Sequence, residues 1–167
     1  MQIKGLAHVA FNVADMDRSL DFYCNKLGMR QVFIMKYEDL LRMLDVFDEA
    51  NQEAPAELAE MKEQIQQKKD QVWMTYLEFA PGQFIELFAT DPGTPIAERV
   101  GQRVGYQHFA LEVEDIQKAK AELIAAGIPI ERDASLAVDN TWQLWIADPD
   151  GNAFELHQYT PASLQLL

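Results

Sequence analysis

The sequence predicts an α+β protein built from two βαβββ modules, and three observations carry that reading. GQFIELF at 82–88 returns near the end of the chain as GNAFELH at 151–157, so Gly82 matches Gly151 and Glu86 matches Glu155. Each copy closes a half that opens on a similar strand pattern with a histidine, AHVAFNVAD at 7–15 and QHFALEVED at 107–115. His8 matches His108 at an offset of 100 residues, whereas the glutamates match at 69. The first half therefore holds 31 extra residues between its second and third strands, and the duplication is the main organisational fact.

Taken in order, residues 5–13 alternate. Ala7, Val9, Phe11 and Val13 share one face; Leu6, His8, Ala10 and Asn12 share the other. Asp15 then precedes a helix in which Leu20, Phe22, Tyr23 and Leu27 recur at helical spacing, with Gly28 as its stop. Residues 29–36 read as the second strand. The insertion, 38–71, carries two apolar stripes, Leu40, Leu41, Leu44 and Phe47, then Leu58, Met61 and Ile65 after Pro55. Two helices with a break near 51–55 are expected. Residues 72–80 and 83–90 form two strands around the Pro81–Gly82 turn. The second half repeats the order: strand 106–113, helix 115–126 ending at Gly127, then strands 128–132, 141–147 and 153–159. The modules run over 1–93 and 94–167, together one compact domain.

Composition excludes several functions. A net charge of −13 would repel nucleic acid and an anionic membrane surface. Residues 38–72 supply ten acidic and four basic side chains, a run that reads as a solvated face. No apolar run is long enough to span a bilayer, and the first residues lack a secretory signal pattern. Cys24 is the one cysteine, so no intrachain disulfide forms; it reads as a small buried helix residue, and a cytoplasmic location is expected.

Strand parity places Phe84, Glu86 and Phe88 on one face, and Ala153, Glu155, His157 and Tyr159 on the matching one. A carboxylate between two phenylalanines is costly unless it is paired or bound to a cation. Because the His-to-Glu arrangement occurs twice, a pseudo-two-fold would bring His8, Glu86, His108 and Glu155 to a single metal ion. Two imidazoles and two carboxylates suit a divalent ion, Ni, Co, Mn, Fe(II) or Zn.

With HVAFNVAD, DRSLDFYCNKLGM, GYQHFALEVED and DPDGNAFEL in view, the chain resembles the vicinal oxygen chelate superfamily, also called glyoxalase/bleomycin resistance/dioxygenase. The resemblance covers nearly the whole chain. It implies paired modules forming a cup-shaped mixed sheet around a metal, paired within a chain or across a homodimer. A Glu at position 86 resembles glyoxalase I (lactoylglutathione lyase). Two positions differ from the short bacterial form of that enzyme: Asn12 stands where it has Arg, and Thr90 where it has Asn. Both family residues help hold glutathione.

The resemblance implies a metal-dependent lyase or isomerase of a small molecule, removing a proton alpha to a carbonyl by way of a metal-bound enediolate. Glu155 is the first choice as base and Glu86 the second. His8 and His108 are fixed ligands, and Asn12, Phe84, Phe88, His157 and Tyr159 line the substrate. The alternatives are an extradiol-type dioxygenase and a non-enzymatic binding protein in which Trp73, Trp142 and Trp145 help form an apolar pocket.

Overall fold

A computed structural model describes residues 1–50, 56–96 and 106–167. The chain divides into two compact units. One comprises Met1–Cys24 and Gly28–Thr94, the other Asn25–Leu27 and Pro95–Leu167. No helix among the described residues is long and apolar enough to cross a membrane.

The first unit contains β1 (His8–Val13), α1 (Met16–Leu20), β2 (Arg30–Lys36), α2 (Tyr37–Ala50), α3 (Ala56–Gln66), β3 (Val72–Ala80) and β4 (Gln83–Ala89). Its four strands form one mixed sheet in the order β1-β4-β3-β2. β1 lies parallel to β4, and the other pairs are antiparallel. The second unit contains β5 (Phe109–Glu112), α4 (Ile116–Ala125), β6 (Ile130–Leu136), β7 (Trp142–Ala147) and β8 (Ala153–Gln158). Its order, β5-β8-β7-β6, repeats the first, again with a parallel outer pair. Both units are therefore βαβββ, as the duplicated pattern predicts.

The same local chemistry starts and stops the equivalent helices. Asp15 caps α1 by accepting from the backbone N–H of Arg18 at 3.0 Å; Asp115 caps α4 by accepting from Gln117 and Lys118 at 2.9 and 3.0 Å. Gly28 and Gly127 take φ of 75° and 70°, the left-handed conformation in which a side chain is strained.

Three elements differ from expectation. The first helix continues from α1 as a π-helix over Asp21–Lys26, because an i→i+5 pattern leaves no mark on composition. Cys24 within it is half-buried, and burial pushes its thiol pKa up. β5 is shorter than its apolar pattern, with His108 just before it. β6 starts later and runs longer.

In the insertion, α2 packs on α3, β2 and β3. Ile65 is buried, whereas Met61, on the same predicted stripe, is 49% exposed. The predicted break at 51–55, with Pro55, lies outside the described residues, as does the side chain of Phe47.

One face of each sheet supplies core. Val13, Leu77, Ile85 and Leu87 are buried in the first unit, and α1 packs on β4. Leu144, Ile146, Phe154 and Leu156 are their counterparts in the second, where α4 packs on β6, β7 and β8. The alternation of the strands then sends Glu86 and Glu155 to the opposite face.

Candidate metal centre

Glu86 lies mid-strand on β4, with Ala10 of β1 on one side and Tyr76 of β3 on the other. Only 8% of it is exposed. His8 opens β1 on the same face, and its Nε2 stands 3.4 Å from Glu86 Oε2. The Tyr76 hydroxyl donates to the Glu86 carboxylate. Burial pushes that hydroxyl's pKa up, and the hydrogen bond and negative charge of Glu86 push it further. The Tyr76 ring is edge-on to His8 at 5.6 Å and stacked on Phe33 at 4.8 Å.

The second unit repeats the frame. Glu155 lies mid-strand on β8 between Ala110 of β5 and Trp145 of β7, and it too is 8% exposed. His108 Nε2 stands 3.5 Å from Glu155 Oε2. The other oxygen, Oε1, lies 2.7 Å from His157 Nδ1. With Glu155 ionised, a carboxylate can only accept, so Nδ1 carries the proton. Among the described residues, His157 Nε2 and His108 Nδ1 are both buried with no hydrogen-bond partner. Trp145 meets His108 edge-on at 4.5 Å, and Tyr159 meets His157 at 4.7 Å.

The four predicted ligands are thus gathered as two His–Glu pairs. Among the described residues, no group of three or more His, Cys, Asp or Glu side chains is set to hold a metal ion. Among the described residues, neither Glu86 nor Glu155 has a lysine or arginine partner; each faces imidazole instead. A buried carboxylate with no cation is costly, and a divalent ion would offset that cost. Imidazole nitrogen with carboxylate oxygen is a donor set such an ion accepts, so the residues fit.

The predicted substrate residues divide. Asn12 is exposed on β1, on the face of His8, and its register partner is Phe88. Phe84 packs against Tyr76 at 5.8 Å, and Phe88 against Trp73 at 5.6 Å. His157 is turned to Glu155. The Thr90 hydroxyl donates to the Val13 carbonyl at 3.0 Å. Sequence reasoning passed over Tyr76, although it stands ten residues before Glu86 as Trp145 does before Glu155. The offset of 69 residues that matched the glutamates would have found it.

Residues 5–156 match the model of the Glyoxalase/Bleomycin resistance protein/Dioxygenase superfamily. The chain is 26% identical over 161 residues to a probable chloroplastic lactoylglutathione lyase of Arabidopsis thaliana, covering 95% of this chain and 37% of that protein. It is 26% identical over 157 residues to lactoylglutathione lyase GLX1 of the same plant, covering 92% and 44%. The chain thus spans less than half the length of either relative. A glyoxalase family protein from Enterococcus faecalis has the same fold, with a TM-score of 0.65 at 23% identity over 94% of this chain and 99% of that one. A duplicated βαβββ frame with a His–Glu pair in each half, matched along most of its length by one family model, places the chain in the Glyoxalase/Bleomycin resistance protein/Dioxygenase superfamily.

Proposed function

We propose that the protein is a metal-dependent lyase or isomerase that removes a proton alpha to a carbonyl. One observation carries this reading. In each half a buried carboxylate presents Oε2 to a histidine Nε2, at 3.4 and 3.5 Å, with no lysine or arginine among the described residues to balance it. His8, Glu86, His108 and Glu155 would hold the ion, the two pairs meeting within one chain or across a homodimer. A bound Ni, Co, Mn, Fe or Zn ion would supply positive charge to vicinal substrate oxygens as the neighbouring carbon loses its proton.

The remaining work falls to the chain's own residues. His8 and His108 keep fixed places at the strand starts. Glu155 is the base, and Glu86 the carboxylate opposite it. His157 Nδ1 holds Glu155 Oε1, which leaves Oε2 toward the reacting side. Phe84 and Phe88 exclude water on the first half's face, and Asn12 and Tyr159 line the substrate. The hydroxyl of Thr90 is occupied by Val13, and Asn12 carries no charge. We therefore favour a substrate other than a glutathione adduct.

Two measurements test this. Wild type and a Glu86→Ala/Glu155→Ala double variant are equilibrated with Zn(II), dialysed and assayed for metal. Wild type should retain the metal and the variant lose it; equal content would sink the four-ligand site. The methylglyoxal–glutathione hemithioacetal is then offered with each of the metals. A turnover above background would restore glutathione as the substrate class.

A further inference from the structure

Arg132 of β6 stands in line with Glu155. Its register partner is Trp145, whose partner on the other side is Glu155 itself. Directly opposed residues of a sheet share a face, so Arg132 projects from the face that carries the His108–Glu155 pair. Two strand spacings put its Cα about 10 Å from that of Glu155.

The strand is shaped to present it. Relative to β7, β6 gains a residue between Ile130 and Arg132 and another between Arg132 and Ser135. Such bulges re-aim a side chain and are frequent beside active sites. The guanidinium lies over the Trp145 ring, 5.1 Å from its centroid. The indole N–H donates to Gln143 Oε1 at 3.2 Å, and the ring edge meets His108. Trp145 is therefore a platform fixed between Arg132 and the metal-binding pair.

The charge is also unspent. Arg132 is exposed, and among the described residues it makes no ion pair, in a chain of net charge −13. Its sequence neighbour Asp133 is taken by Lys120. A guanidinium stacked on an aromatic face keeps its in-plane N–H fork open for a planar anion. The fold does not require a cation here. The equivalent residue of the first half, beside Tyr76 in the register, is Phe33, stacked on that ring.

Given the lyase reading for the reacting end, we infer that Arg132, seated on Trp145, binds a carboxylate of the substrate a few bonds from the carbon that loses its proton. The substrate class is then a small oxo or hydroxy acid with a second, remote carboxylate.

The test uses two probes that share a carbon skeleton and differ in the distal carboxylate, 2-oxoglutarate and 2-oxopentanoate. Each is titrated calorimetrically into the full chain, both Zn(II)-loaded and metal-free. Wild type should prefer 2-oxoglutarate by about tenfold or more, the scale of a charge-assisted bidentate contact. Arg132→Gln should abolish the preference without weakening 2-oxopentanoate, and Arg132→Lys should keep part of it. Equal binding of both probes by wild type, an equal loss of both in the variant, or no binding of either in both states overturns the carboxylate subsite. Failure to take up Zn(II) sinks the lyase reading alone, because the preference is read in the metal-free titration too.

Discussion

The row of residues crossing each sheet at its glutamate runs Ala10, Glu86, Tyr76, Phe33 in the first half and Ala110, Glu155, Trp145, Arg132 in the second. The first two positions are the same, and the last two have diverged. A tyrosine hydroxyl holds Glu86; Trp145 has no such group, and His157, from the same strand as Glu155, replaces it. The first half has Phe88 at that place, packed on Trp73. The connection between the two antiparallel strands differs as well. Ala137–Thr141 closes β6 to β7 as a tight turn, with Asn140 at φ of 62°, where the first half inserts α2 and α3. Backbone register and the His–Glu pair are shared features; everything that touches the carboxylate from its far side is particular to one half.

The largest expected effect comes from making the connections alike. The insertion leaves and rejoins the sheet through a paired stem: Tyr37 N–H donates to Gln71 at 3.1 Å and Glu38 N–H to Lys69 at 2.9 Å. Replacing residues 37–71 with a copy of Ala137–Thr141 should give a folded protein that still takes up metal and whose substrate range or oligomeric state is altered. Its stability should fall by about 3 kcal/mol, since Tyr37 and Ile65 are buried and a shorter loop returns some of that. Urea denaturation and metal analysis measure both. Loss of metal would mean that the helices hold the site together.

A smaller effect separates the two carboxylates. His157→Phe gives Glu155 the neighbour that Glu86 has, and should lower Zn(II) affinity by about 10–100-fold, the usual cost of an outer-shell partner. Tyr76→Phe removes a single neutral donor, worth about 1 kcal/mol, or roughly fivefold. His157→Gln keeps a donor and should recover part of the loss. Competition with a chelating dye reads all three, and equal losses for His157→Phe and Tyr76→Phe would make the halves equivalent after all.

Sequence periodicity revealed the features that period and spacing encode. The alternation of β1 put His8 and Asn12 opposite Val9, Phe11 and Val13; the structure exposes the first set and covers the second. Asp15 and Asp115 marked helix starts, and Gly28 and Gly127 marked stops. Phe33 and Arg132 were hidden because both sit beside extra residues that break the alternation, so counting by twos puts them on the wrong face. The bulge near Phe33 has a partner of its own, the Thr75 hydroxyl, which donates to the Phe33 carbonyl at 2.7 Å. Parity placed His157 on the glutamate's face, but only the side-chain rotamer turns Nδ1 back to Glu155.

The smallest effect concerns acid. Each half has a half-buried carboxylate held below its ordinary pKa at a strand connection. The Gly82 N–H and Arg30 hold Glu78 down, and the Thr141 hydroxyl with Gln165 holds Asp139 down. For a group depressed on folding, the unfolded chain takes up the proton first as pH falls. The stabilisation is therefore complete above the unfolded values, near 4.5 for Glu78 and 3.8 for Asp139, and is lost as pH drops through the lower folded ones. Urea midpoints measured from neutral pH down into that range should decline. Glu78→Gln and Asp139→Asn should each flatten the decline slightly and lower the neutral-pH midpoint, because the amide keeps the shape but weakens the hydrogen bonds. If only one substitution flattens it, acid sensitivity belongs to one connection, and the two halves differ in electrostatics as they do at the glutamates.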